Sequence, residues 1–302
     1  MSRHHPWSLT YLRLWLVTKA LRLFISIQRL RYPFPAFSNP KVARVEDSIC
    51  SRDQGRRIRV RWYRPASSDD QTLPILINFH GSGFCVPGLG QDEAWCATVA
   101  EKLSWVVVDA DYRKAPENPF PLPLEDAEDV ALHVLAQNPH TKIALSGFSS
   151  GGCLALGLAS LLGPDHVSAA AVFYPPMDIA KDITRPSTDP LLPPALMRHF
   201  FACYVVPGTV SHSDARLAPA YAQAGSFPER VWVTMGEDDP LCQSAERFVE
   251  RLKQERRGKE VKFVGVSGVG HGFDKMNPGM EVNEEGKRVY ADAIELLRRS
   301  VE

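Results

Sequence analysis

One serine set among glycines does most to limit what this chain can fold into. Gly147-Phe148-Ser149-Ser150-Gly151-Gly152 follows the apolar run Lys142-Ile143-Ala144-Leu145-Ser146 and leads into Cys153-Leu154-Ala155-Leu156-Gly157-Leu158-Ala159. This reads as a strand, a tight turn and a helix, with Ser149 at the tip of the turn. Glycines two before and two after the serine allow strained backbone angles and keep side chains out of the way. The hydroxyl is thereby presented at the C-terminal edge of a sheet, beside a helix N-terminus, as in a nucleophile elbow. A plain strand-to-helix turn can share the pentapeptide. The reading therefore depends on an oxyanion hole upstream and, downstream, an acid followed by a histidine.

Upstream, the strand Pro74-Ile75-Leu76-Ile77-Asn78-Phe79 runs into His80-Gly81-Ser82-Gly83-Phe84. A glycine-rich loop after a strand can aim successive backbone N–H groups at one point where an anionic oxygen develops. Downstream, the strand Arg230 to Gly236 is followed by Glu237-Asp238-Asp239-Pro240-Leu241, and the residues alone do not choose among the three carboxylates. Nine histidines compete for the role of base. His271 stands apart because it lies in Gly270-His271-Gly272-Phe273, just beyond the strand Val261 to Val266. A glycine-flanked loop at that place can carry an imidazole to a serine on the same sheet edge.

With these segments in order, the chain resembles the hormone-sensitive-lipase-like branch of the α/β-hydrolases, carboxylesterases with a His-Gly-Gly-Gly loop where His80 to Gly83 stands here. The run Asp111-Tyr112-Arg113-Lys114-Ala115-Pro116-Glu117-Asn118-Pro119-Phe120-Pro121 resembles the same family and is far more specific than the elbow; its charged residues are expected to brace the fold. The resemblance implies a mostly parallel eight-stranded sheet with helices on both faces and a helical cap. It selects Asp239, in its Asp-Pro-Leu setting, as the acid, with Asp238 second. It implies Ser149, Asp239 and His271 as the catalytic residues, and the N–H groups of Ser82, Gly83 and Ser150 as the oxyanion hole, with His80 structural. It implies ester hydrolysis through an acyl-serine, on apolar esters of short to medium acyl length or on an acetyl ester or lactone of a larger scaffold, with no cofactor and no metal. Acyl transfer and dehydration use the same apparatus. The rival is a small-molecule receptor on the same fold, as in the plant gibberellin receptors, which have lost the histidine that His271 supplies here. Two positions depart from the pattern: Ser82 replaces a glycine, and Phe148 replaces an acidic residue, which points to a more apolar pocket.

The 302 residues suit one large α/β domain. The formal net charge of zero gives no electrostatic case for nucleic acid. The six cysteines lack metal-ligand spacing, and as free thiols they point to a reducing, cytoplasmic setting. Val42 to Ile49 and Arg57 to Tyr63 read as an opening antiparallel pair, after which short strands alternate with helices.

Two segments fall outside that alternation, about 1–45 and the proline-rich insert of about 183–227, and the resemblance assigns both to the cap. Phe84, Phe148, Phe200, Phe201 and Tyr204 are candidate pocket walls. In the N-terminal segment Leu9, Leu12, Leu16, Ala20, Leu23, Ile27 and Leu30 recur at helical spacing, broken by basic residues, and no acidic residue precedes Glu46. The run is too interrupted to span a bilayer. A cap helix is the favoured reading, with peripheral contact to anionic lipid or organelle import as alternatives. Oligomeric state is not legible.

Overall fold

The computed structural model describes residues 8–34, 37–66, 73–182, 189–256, 258–275 and 282–301. The strands are β1 (Val42–Cys50), β2 (Arg57–Pro65), β3 (Ile75–Phe79), β4 (Val106–Ala110), β5 (Ile143–Phe148), β6 (Val167–Phe173), β7 (Arg230–Gly236) and β8 (Glu260–Val266). They form one eight-stranded sheet in the order β1-β2-β4-β3-β5-β6-β7-β8. The first two strands enter antiparallel and β4 onward runs parallel. The mixed character follows from the sequence. β2 alternates apolar and charged residues because only one of its faces is covered, whereas β3, β4 and β5 are mainly apolar, each with one polar residue (Asn78, Asp109 and Ser146), and are buried throughout.

The helices are α1 (Leu9–Arg31), α2 (Glu93–Leu103), α3 (Leu122–Gln137), α4 (Ser150–Leu162), α5 (Ile179–Asp182), α6 (Pro194–Tyr204), α7 (Cys242–Glu255) and α8 (Glu284–Arg298). α2 packs with α8, and α3 with α4, so that both faces of the sheet are covered. The fold class is therefore the one the alternating pattern implied.

Of the segments expected to form a cap, 1–7, 35–36 and 183–188 lie outside the described residues. α1 and α6 lie against each other. The Thr18 hydroxyl meets His199 Nε2 at 2.9 Å, and Arg22 donates through Nε to the Cys85 carbonyl at 2.8 Å and through its Nη atoms to both oxygens of Glu117. Glu117 is thus a brace. So are Asp111, which receives Lys114 and Arg59, and Arg113, which is paired with Asp53 and Asp126. Every cysteine of the chain is a free thiol. Among the described residues no helix is long and apolar enough to cross a membrane.

Candidate active site

Ser149 sits between the end of β5 and the start of α4 with φ 51° and ψ −121°, a region a residue with a side chain enters only under constraint. Part of that constraint is its own N–H, which donates to the Phe173 carbonyl of the neighbouring strand at 2.8 Å. The flanking glycines are required by space. A Cβ on Gly151 would strike the Phe79 carbonyl, and one on Gly147 would strike the Gly151 backbone.

Beyond β7 the chain turns so that Glu237 and Asp238 are exposed while Asp239 is buried. Beyond β8 the loop brings His271 to the same edge. His271 Nδ1–H donates to Asp239 Oδ2 at 2.7 Å, and Nε2 lies 2.9 Å from Ser149 Oγ. The Leu241 N–H donates to Asp239 Oδ1 at 2.9 Å and fixes the carboxylate. Burial by itself would lower the pKa of His271. The charge and hydrogen bond of Asp239, with Asp189 and Asp274 further off, outweigh it, and the net shift is upward. Asp189 also accepts the backbone N–H of His271 and, at 2.8 Å, that of Leu191, so the insert before α6 is tied to the histidine loop. Sequence reasoning missed Asp189. Its Asp-Pro setting signals a turn, and nothing local reveals a partner 82 positions away.

The loop after β3 departs from expectation at Ser82. Its N–H, expected to serve the oxyanion hole, donates to Ser150 Oγ at 2.9 Å. The reason is that Ser150 places a hydroxyl under a buried amide, and a buried N–H takes an available acceptor. The Ser82 hydroxyl is 2.7 Å from Tyr112 Oη, whose O–H donates to the His80 carbonyl at 2.7 Å. The hydroxyl thus braces the loop. Ser82 needs no positive φ, which falls on Gly83 (54°) and Phe84 (61°) instead. Gly83 and Ser150 line the pocket beside Ser149. Ser150 opens α4, where the first backbone N–H groups have no partner inside the helix. His80 bonds the Gly81 carbonyl at 2.9 Å through Nδ1 and stacks on Tyr112, with ring centroids 4.7 Å apart.

A pocket of about 430 Å³, mouth included, opens at Ser149, and Phe84, Leu192, Met197, Phe200 and Phe201 are among its walls. Two of the expected wall residues are elsewhere. Phe148 points into the core, stacked on Phe173 at 4.2 Å with the Lys275 ammonium 3.3 Å from its ring centroid. Tyr204 lies behind the wall, stacked on Phe84 at 3.7 Å. A strand residue just before the elbow faces whichever side the pleat dictates, and at 148 that is the interior. Lys275 is buried with it, 2.9 Å from Asp92 and 3.1 Å from Asp274, and Tyr174 and Tyr290 donate to the two oxygens of Asp274. Among the described residues no cluster of three His, Cys, Asp or Glu could hold a metal ion.

The strand order, the elbow and the segments that meet there match a known family. Its sequence model, described as an alpha/beta hydrolase fold, covers residues 76–275. The chain is an α/β-hydrolase. Among proteins similar to this hydrolase is an ethyl acetate hydrolase from Pseudomonas putida, 29% identical over 267 residues, 82% of this chain and 81% of that one. Another is the carboxylesterase NlhH of Mycobacterium tuberculosis strain H37Rv, 27% identical over 76% of this chain and 75% of its own. Of solved structures, an esterase from Pyrobaculum calidifontis superposes on the hydrolase with a TM-score of 0.76 at 26% identity, covering 94% of this chain and 93% of that one. These relatives accord with the hormone-sensitive-lipase-like branch indicated by the loop at His80.

Proposed function

We propose that this hydrolase cleaves carboxylic esters of small molecules through an acyl intermediate on Ser149. The observation that carries the reading is the continuous line from Ser149 Oγ to His271 Nε2 at 2.9 Å and from His271 Nδ1 to Asp239 at 2.7 Å. A serine hydroxyl is a poor nucleophile until a base takes its proton. With Nδ1–H committed to Asp239, Nε2 is the free acceptor, so His271 removes the proton as Oγ attacks the carbonyl carbon. Asp239 holds that tautomer and stabilises the imidazolium that forms. The tetrahedral oxyanion is received by the N–H groups of Gly83 and Ser150. His271 then protonates the departing alkoxide, and a water activated by the same imidazole releases the acid. The intact relay favours catalysis over mere binding.

The walls at Phe84, Met197 and Phe200 favour uncharged acyl groups, because a carboxylate among them would lose its hydration without a partner, and Asp182, which also lines the pocket, would repel it. Relatives described as an ethyl acetate hydrolase and a carboxylesterase support small ester substrates. The cap in this reading is α1 and α6 with the segments around them, and α6 sets acyl length through Met197, Phe200 and Phe201. Hydrolysis of p-nitrophenyl esters from acetate to decanoate, with Ser149→Ala alongside, tests the proposal. Turnover should peak at short to medium chains and vanish in the variant; equal turnover by the folded variant would rule the mechanism out.

A further inference from the structure

The face by which α1 meets the rest of the molecule is mixed: Thr18 is fully buried, Arg22 is bonded to the Cys85 and Ala115 carbonyls, and Leu14 packs on the core. The opposite face is apolar as well. Leu9, Leu12, Leu16, Leu23, Ile27 and Leu30 share one side of the helix and are between 42% and 88% exposed. At 1.5 Å per residue they make a ridge about 32 Å long. Val17 and Phe24 widen it, so that eight of the fifteen large apolar side chains exposed among the described residues belong to this single helix. A surface helix of a globular protein ordinarily turns polar residues outward. Apolar patches of this extent mark an interaction surface.

The charges beside the ridge identify the occupant. On the helical wheel Arg13 and Arg31 fall between the leucine ridge and Phe24 and Val17, Lys19 borders the ridge on its other side and is paired with Glu117 at 3.2 Å, and the helix contains no acidic residue. Eight of the 35 lysines and arginines of the whole chain precede Glu46, and none of its 35 aspartates and glutamates does.

We propose that α1 docks this protein on an anionic lipid bilayer, lying in the plane of the interface with the leucine ridge in the acyl boundary and Arg13 and Arg31 at the headgroups. A second copy fits less well. Antiparallel pairing of two such helices would set Arg13 of one beside Arg31 of the other, and neither helix has an acidic residue to offset them. A bilayer offers one continuous apolar phase to the ridge and negative headgroups to Arg13 and Arg31. α1 is not apolar enough to cross the bilayer, as a helix that lies on the surface need not be. The docked helix would be continuous with the site, since Arg22 and Arg29 donate to the Cys85 and Pro87 carbonyls of the loop after β3, and Thr18 bonds His199 of α6.

The inference is independent of the ester chemistry, and its readout is binding to vesicles. The full chain is sedimented with phosphatidylcholine vesicles carrying about 30 mol% phosphatidylserine, and with phosphatidylcholine alone. Two variants are compared, Leu16→Glu/Leu23→Glu/Ile27→Glu and Arg13→Glu/Arg31→Glu; all five positions are exposed, so circular dichroism and turnover of a soluble ester should match wild type. The wild type should pellet with the anionic vesicles and much less with the neutral ones, and each variant should lose about tenfold or more in partitioning. Wild type that stays in the supernatant with anionic vesicles would overturn the proposal. So would a wild-type dimer that the leucine variant converts to monomer, because the ridge would then be covered by a second copy.

Discussion

In front of Ser149 the pocket is walled by Phe84, Leu192, Met197, Phe200 and Phe201, whereas the layer behind it is held by bonded polar groups. There Asn78 bridges Asp92 and Asp109 at 3.1 and 3.0 Å, Trp95 donates to Ser146, and Lys275 joins Asp92 to Asp274 under the Phe148 ring. The two sides do different work. Apolar walls make many weak, interchangeable contacts, so they can change shape at modest cost and set which acyl groups fit. The layer behind is satisfied only as a whole, and removing one member strands another in low dielectric. Its reward is position, because Asp274 and Lys275 follow His271 by three and four residues and pin its loop to the core.

The largest effect belongs to the groups between the two layers. Ser149→Ala or His271→Ala should reduce kcat by on the order of 10⁴ or more, with unfolding by urea nearly unchanged. Next comes the layer behind. Lys275→Met leaves two buried carboxylates without their cation and should cost about 3–5 kcal/mol in urea unfolding, while Phe200→Ala, on a half-buried wall, should cost about 1 kcal/mol. Equal losses would erase the contrast. The wall variant should instead act on selectivity, moving the acyl-chain optimum of kcat/KM toward longer esters by about tenfold in the ratio of decanoate to acetate.

The smallest effect is a titration. His271 must be neutral to accept the Ser149 proton, and its pKa is raised in the folded protein, so kcat/KM should fall as pH drops through a midpoint above the ordinary histidine value of about 6.5. Asp189→Asn removes one of the charges that raises it and should move that midpoint down. A midpoint that stays put would mean that Asp189 acts through its backbone tether alone.

What was legible in the sequence was local or ordinal. The elbow at 147–151 declares itself because backbone collisions leave only glycine at its flanks, and the alternation of short apolar strands with helical runs fixes a parallel sheet. Serine, acid and histidine are ordered along the chain as parallel strands must deliver them to one edge, and the structure brings Ser149, Asp239 and His271 within hydrogen-bond reach. Side-chain direction was not legible. Phe148 suggested a pocket ring and is a core ring, and Ser82 suggested a free oxyanion donor yet gives its N–H to Ser150. The leucine stripe of α1 was visible as periodicity, but a period says that one face is apolar without saying which way it turns. Each of these depends on a partner more than 20 positions away or on no partner at all, and no window of sequence contains that information.

The central claim is that Ser149 is a nucleophile activated by His271, and stoichiometric labelling with a fluorophosphonate tests it most directly. After digestion, peptide mass spectrometry should place the adduct on Ser149 alone, and His271→Ala should slow its formation by at least about 10³-fold. A folded wild type that remains unlabelled, or an adduct on another residue, would contradict the account.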